Sequence, residues 1–194
     1  MAMAVDPDPD PPEEALLIAY GKGDREAAAL LTARLAPRVM ALAARLLGDR
    51  AEAEDVTQET MLRLWKAAPK WRPGEARVST WAYHVGHNLC IDRLRKRRPV
   101  DLDAIPEPPS GAPSAVATLL EADRARALER ALARLPERQR AAVTLRHLEG
   151  LTNPEIAEVL EISVEAVESL TARGKRALVA LLAGRREELG YGED

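Results

Sequence analysis

The chain has no phenylalanine, a single cysteine and an aromatic content of only 3%. A core without Phe has to be built from Ala, Leu and Val, which suits helix packed on helix, and Ala and Leu are strong helix formers. Cys90 has no second cysteine to pair with. A lone thiol fits a reducing compartment, and the expected location is the cytoplasm. No apolar run approaches the ~20 residues that cross a bilayer, so membrane insertion is not expected. No charged segment followed by an apolar stretch opens the chain, which argues against a secretory signal. Alternating runs of β-branched residues are missing, and with them any sign of a sheet. Gly-rich phosphate loops, an HExxH motif and a nucleophile triad are missing too. The chain is therefore read as a non-enzyme, with no catalytic residues, no cofactor and no metal.

What is present is 194 residues, enough for one or two compact domains. Acids outnumber bases by 31 to 28, which at first speaks against a nucleic-acid partner. The distribution reverses that impression. Asp6, Asp8, Asp10, Glu13 and Glu14 crowd the start, and Glu187, Glu188, Glu193 and Asp194 the end. Between Asp92 and Arg98 lie Arg93, Arg95, Lys96 and Arg97. A concentrated basic stripe matters more for DNA than the chain average, although a solvated helix end can have the same composition.

Proline and glycine divide the chain. Residues 1–14 read as a disordered acidic tail. Residues 15–98 read as a helical domain, with helices near 13–21, 24–47, 50–67 and 79–97. Residues 99–115, with Pro99, Pro106, Pro108, Pro109 and Pro113, read as a linker. Residues 116–186 read as a second helical domain, with helices near 116–134, 137–148, 153–160 and 164–182, followed by an acidic tail over 187–194. The fold expected is all-α: two small helical domains joined by a Pro-rich linker, the second containing a helix-turn-helix.

That helix-turn-helix is the clearest unit. Thr152 and Glu155 have capping-box spacing, with Pro154 in the first turn of a short helix. Ile156, Ala157 and Leu160 give it an apolar face, Glu161 and Ile162 make a tight turn, and Ser163 can cap the next helix. Val164, Val167, Leu170 and Leu178 of that second helix would face inward. Such a second helix can enter the major groove with its leading residues near base edges. An ordinary helical hairpin shares the same spacing.

Two helices of the first domain carry further patterns. Ala53, Val56, Thr57, Thr60, Met61 and Leu64 share one face of the helix at 50–67. Asp55, Gln58, Glu59 and Leu62 lie together on another, which suits either a basic partner or plain solvent. In the helix at 79–97, Ala82, Val85 and Leu89 point inward, while His84, Asn88, Asp92 and Arg95 form a separate row. Trp71, Trp81 and Tyr83 lie close in sequence to the basic stripe. Aromatic faces beside Arg can stack unpaired bases, at roughly 1–3 kcal/mol per base. They can equally be core.

Three stretches, in order, carry a resemblance. They are Glu54-Asp55-Val56-Thr57-Gln58-Glu59-Thr60-Met61-Leu62-Arg63-Leu64-Trp65; then Ser79-Thr80-Trp81-Ala82-Tyr83 with Asn88-Leu89-Cys90-Ile91-Asp92-Arg93-Leu94-Arg95; then Leu135-Pro136-Glu137-Arg138-Gln139-Arg140 with Glu149-Gly150-Leu151-Thr152-Asn153-Pro154-Glu155-Ile156-Ala157. In this the chain resembles the extracytoplasmic-function sigma factors, the minimal two-domain group of bacterial sigma factors. The resemblance implies that Asp55, Gln58, Glu59 and Leu62 grip core RNA polymerase. It implies that Trp81, Tyr83, Asn88, Asp92, Arg93 and Arg95 serve the −10 element of promoter DNA, with the loop Lys70 to Arg77 capturing a flipped base. It implies that Ser163, Glu165, Ala166, Ser169, Arg173, Lys175 and Arg176 serve the −35 element, Glu165 toward a cytosine amino group. An anti-sigma protein is implied as a further partner. Two duplex sites two helical turns apart are separated by roughly 70 Å. The linker over 99–115 reaches about 55–60 Å extended, and the breadth of the two domains covers the rest.

The chain departs from the family pattern in three places. Glu161 stands where members often carry Gly, and Glu168 and Leu170 stand where Lys and Arg are common. A stand-alone helix-turn-helix regulator would account for the second domain and leave the first unexplained. A metal or redox site at His84, His87 and Cys90 is disfavoured by geometry. Positions i and i+6 diverge by about 120° around a helix.

Overall fold

The computed structural model describes residues 11–74, 76–97 and 116–183, with side chains from Asp123 onward in the last stretch. The tail before residue 11, the Pro-rich linker and the acidic end lie outside the described residues. Among those described there are eight α-helices, one 3₁₀ turn, one π turn and no strand. The helices are α1 (Glu13–Gly21), α2 (Arg25–Leu47), α3 (Arg50–Ala67) and α4 (Val78–Arg97), then α5 (Val116–Ala133), α6 (Glu137–Val143), α7 (Asn153–Leu160) and α8 (Val164–Ala183).

Local chemistry sets these ends. Asp24 caps α2 by accepting from the Glu26 and Ala27 N–H groups, and Asp49 caps α3 by accepting from Glu52. Gly48 ends α2 at φ 65, the left-handed stop that glycine adopts without a Cβ clash. The acidic tail ends earlier than the sequence suggests. Glu13 and Glu14 open α1, where Glu13 pairs with Arg38 at 3.2 Å and Glu14 accepts from the Gly74 N–H at 2.9 Å.

By length and composition α2 could cross a membrane, contrary to the sequence expectation. One apolar face of it is turned into the protein instead. Leu31, Leu35, Val39, Leu42 and Leu46 are at most 1% exposed, packed among α1, α3 and α4. Gly86 brings α4 close to this layer: a Cβ there would lie 3.2 Å from Val39 Cγ1 and 3.5 Å from Thr60 Oγ1.

The expected continuous helix over 137–148 is not what forms. The chain passes from α6 into a π turn over Thr144–Leu148, with the Glu149 N–H bonded back to the Thr144 carbonyl. π turns recur at functional positions, and this one leads straight to Glu149. In the second domain α6 crosses α8 closely, because Gly174 leaves room: a Cβ there would sit 2.5 Å from Val143 Cγ2. One buried cluster joins the two halves. It holds Leu42, Leu46, Tyr83, Leu89 and Cys90 together with Leu145, Ile156, Val159 and Val167.

Candidate nucleic-acid and polymerase interface

The face of α3 opposite the core is open. Ala53, Val56, Thr57, Thr60, Met61 and Leu64 are buried, while Asp55 and Gln58 are exposed and Leu62 is 52% exposed. Glu59, half-buried, accepts from Arg63 at 2.8 Å. That hydrogen bond holds its carboxyl below the usual range. The face thus shows one exposed leucine with carboxylates beside it.

α4 is buried on more sides than its periodicity suggests. Ala82 and Leu89 are buried as expected, but so are Tyr83, Gly86, His87 and Cys90. Region after region of the chain closes around it, with α2 and α3 on one side and α7 on the other. Tyr83, grouped from sequence with the aromatics beside the basic stripe, is 1% exposed and donates to Glu149 Oε2 at 2.5 Å. In this arrangement no base can stack on it. Burial, then the bond to Glu149, pushes its hydroxyl up from the ordinary tyrosine range. Trp81 is half-buried and meets Trp71 edge-on at 6.2 Å. Asn88 reaches His84, and Asp92 and Arg95 are exposed 4.0 Å apart. Arg93 is half-buried. Burial pushes the Cys90 thiol up to about 12 and holds His87 down at about 4. Both side chains are buried, and no group of three or more His, Cys, Asp or Glu residues placed to hold a metal ion occurs among the described residues.

The helix-turn-helix forms as α7, a turn over Glu161–Ser163, and α8. Glu155 reaches back from α7 to accept from both the Thr152 N–H and hydroxyl, each at 2.7 Å. Val159 joins Ile156 in the core, beyond the face read from sequence. Ser163 accepts from the Ala166 N–H and so caps α8. Ser163, Glu165, Ser169, Arg173, Lys175 and Arg176 are exposed, and Ala166 is half-buried. Arg173 is turned back to the Ser169 carbonyl at 3.2 Å. Glu168, one of the departures, accepts from Asn153 at 3.4 Å and ties α8 to the start of α7. Leu170 is half-buried. Glu161 occupies the turn at φ 54.

Sequence reasoning missed the polar junction between the halves. Arg45 meets Glu129 at 3.0 Å and Glu149 at 3.2 Å, Arg77 meets Glu155 at 2.7 Å, and His84 Nε2 lies 2.8 Å from Glu161 Oε1. Burial opposes ionisation of Glu155, but Arg77 and the Thr152 donors outweigh it and hold the carboxyl at about 2. Such pairs, far apart in the chain, leave no local pattern. The one available signal was Glu161 in a turn where Gly is common.

These features define a two-part, all-helical protein with a helix-turn-helix in its second half and an open acidic helix face in its first. The Sigma-70 region 2 family profile matches residues 31–100, and the Sigma-70 region 4 profile matches residues 125–178. The chain is 34% identical to the ECF RNA polymerase sigma factor SigE of Mycolicibacterium smegmatis, over 79% of this chain and 60% of that protein. It is 30% identical to the ECF RNA polymerase sigma factor SigW of Bacillus subtilis, over 81% of this chain and 89% of that one. Among solved structures, CnrH, determined in complex with the cytosolic domain of CnrY, superposes with a TM-score of 0.64 at 28% identity, covering 89% of this chain and 97% of CnrH. The chain belongs to the extracytoplasmic-function sigma factors of RNA polymerase.

Proposed function

We propose that this chain binds core RNA polymerase in the cytoplasm and directs promoter recognition, strand opening and transcription initiation, as a binding factor and not a catalyst. The observation that carries the reading is the pairing of two surfaces on one chain. One is the open α3 face of Asp55, Gln58, Glu59 and Leu62. The other is a helix-turn-helix whose second helix exposes Ser163, Glu165, Ser169, Arg173, Lys175 and Arg176. A DNA regulator acting alone has no use for the first.

In this reading the α3 face grips polymerase, Leu62 as the apolar anchor. The −10 element meets Trp81, Asn88, Asp92, Arg93 and Arg95, and Tyr83 joins them only once Glu149 has left it. The −35 element meets the leading turns of α8, including Ala166, with Arg173, Lys175 and Arg176 on phosphates. An anti-sigma protein occludes these same surfaces in the repressed cell. The bound CnrY domain in the CnrH structure supports a protein partner of that kind.

Reconstituted transcription on a library of bacterial promoter fragments, with core polymerase and with or without this protein, tests the reading. Protein-dependent starts that share two spaced upstream elements are expected. Replacing Asp55 and Glu59 by Lys should abolish those starts and weaken core binding by at least tenfold while helical content is unchanged. Unaltered core affinity would remove the α3 face from the mechanism.

A further inference from the structure

The basic stripe at the end of α4 divides in two. From sequence Arg93, Arg95, Lys96 and Arg97 look alike. In the fold the Arg95 side chain is 74% exposed and that of Arg97 only 38%. Every nitrogen of the Arg97 guanidinium has a partner. Nε and Nη2 reach Glu52 Oε1 at 3.1 and 2.7 Å, and Nη1 donates to the Leu47 carbonyl at 2.9 Å. Nη2 also lies 3.6 Å from Asp49 Oδ2.

These partners sit at helix ends. Leu47 is the last residue of α2, so its carbonyl is one of the four that find no acceptor's partner within the helix. Asp49 caps α3: its Oδ1 accepts from the Glu52 N–H at 3.0 Å, while Oδ2 is the oxygen nearest Arg97. Glu52 stands in the first turn of α3. Its Oε2 is buried with no hydrogen-bond partner among the described residues. A buried acceptor left unpaired is costly, and Glu52 holds this position while Oε1 takes both bonds from Arg97. One guanidinium thus joins the end of α2, the start of α3 and the end of α4. A planar fork can serve several acceptors at once, which an ammonium cannot do in the same geometry. With the Asp49 and Glu52 carboxylates beside it, Arg97 also offers a DNA phosphate little net charge.

The junction lies about one helical turn from each of two functional surfaces. Glu52 precedes Asp55 by three residues, and Arg97 follows Arg93 by four, which is about 4.5 and 6 Å along the helix axes. We propose that Arg97 is a positioning residue that ties the −10 helix to the polymerase-docking helix, so that α3 seated on polymerase sets where Arg93 and Arg95 meet the promoter. The role rests on the reading of α3 as the polymerase face and of α4 as the −10 helix. Arg97 touches no DNA in it and acts through α4.

The test uses holoenzyme assembled from core polymerase and the full chain, parent or variant, on promoter fragments. Permanganate reactivity of unpaired thymines reads strand opening, and binding across a salt series reads phosphate contacts. Arg97→Gln should lower the ratio of open to closed complexes by about three- to tenfold, the range of one net hydrogen bond. Helical content, core affinity and salt slope should stay as in the parent. Arg97→Lys should restore little, because one nitrogen replaces three. Glu52→Gln should also lower opening, and the double variant should fall no further than Arg97→Gln alone. Glu52 separates the two possible roles: removing an acid near DNA favours phosphate binding, so a lost tether is what would lower opening there. A salt slope smaller by about 1 in Arg97→Gln, with opening undiminished in Glu52→Gln, would overturn the proposal and make Arg97 a phosphate contact. Full opening in both single variants would overturn it as well, while leaving the promoter-factor reading intact. A parent chain that neither binds core nor opens any promoter would overturn that reading, and this role with it. Should Arg97→Gln lose helical content, Glu52→Gln decides on the same readouts.

Discussion

Helices α1 to α4 enclose a deep core of their own, whereas α5 to α8 enclose a small one and share the rest. In region 2, Leu16, Leu17, Leu31, Leu35, Val39, Met61, Leu64 and Ala82 form a cluster that no region 4 residue enters. Among the described residues, the cluster region 4 has to itself is Leu132, Leu135 and Val143, with Leu128, Ala177, Leu178 and Leu181 at the edge. Its helix-turn-helix residues Leu145, Ile156, Val159 and Val167 belong to the cluster shared with α2 and α4. Buried apolar area is the main source of stability. The comparison therefore teaches that region 2 is the body that folds, and region 4 is the part whose docking can be adjusted by a few polar contacts.

The sharpest way to break that comparison is in the private core of region 2. Leu31 is 0% exposed, and Leu31→Ala should cost about 2–5 kcal/mol. Hydrogen exchange should show both regions losing protection together, because the shared cluster loses its support. Protection lost in region 2 alone would mean that region 4 stands without it.

Acid is the next probe. His87 is 9% exposed, its Nδ1 has no partner, and burial keeps it neutral with a pKa of about 4. The unfolded chain protonates near the ordinary ~6.5. Stability is then whole above about 6.5 and declines as the pH falls toward 4, by up to about 3 kcal/mol. Thermal melts across that window should show the decline, and His87→Leu should flatten it. An unchanged slope in the variant would assign the acid sensitivity to other groups.

A smaller effect is expected in region 4. Gly174→Ala places a methyl against Val143 and near the Gln139 carbonyl, so α6 and α8 must part, at about 1–3 kcal/mol. Lower melting with intact core-polymerase affinity is expected, since α3 is not disturbed. The smallest effect concerns the basic end of α4. Neutralising Arg93 and Arg95 together should lower the salt slope of promoter binding by about 1–2. A slope that stays put would count against phosphate contacts there.

Much of the architecture was legible beforehand. The bounds of α2, α3, α7 and α8 were legible to within a residue or two, because the residues that set helix ends, Ser163 among them and in the structure Asp24, Asp49 and Gly48, act locally. The open face of α3 was legible for the same reason: one helix suffices to define it. α4 was not, since one of the helices that cover it is α7, more than fifty residues further along the chain. Tyr83 consequently reads as base-stacking or as core, and Cys90 only as an unpaired thiol, until the second covering helix is placed. The roles of Glu129, Glu149 and Glu155 depend wholly on partners distant in sequence.

The π turn over Thr144–Leu148 can be seen as one residue of rotational phase stored in the chain. At 3.6 residues per turn, one extra residue is worth about 100° of azimuth. An uninterrupted α-helix would point Glu149 elsewhere, and its carboxylate would miss both Arg45 and Tyr83. Shortening this segment by a single residue would therefore act like turning a key: the lock stays built, but the tooth no longer lines up.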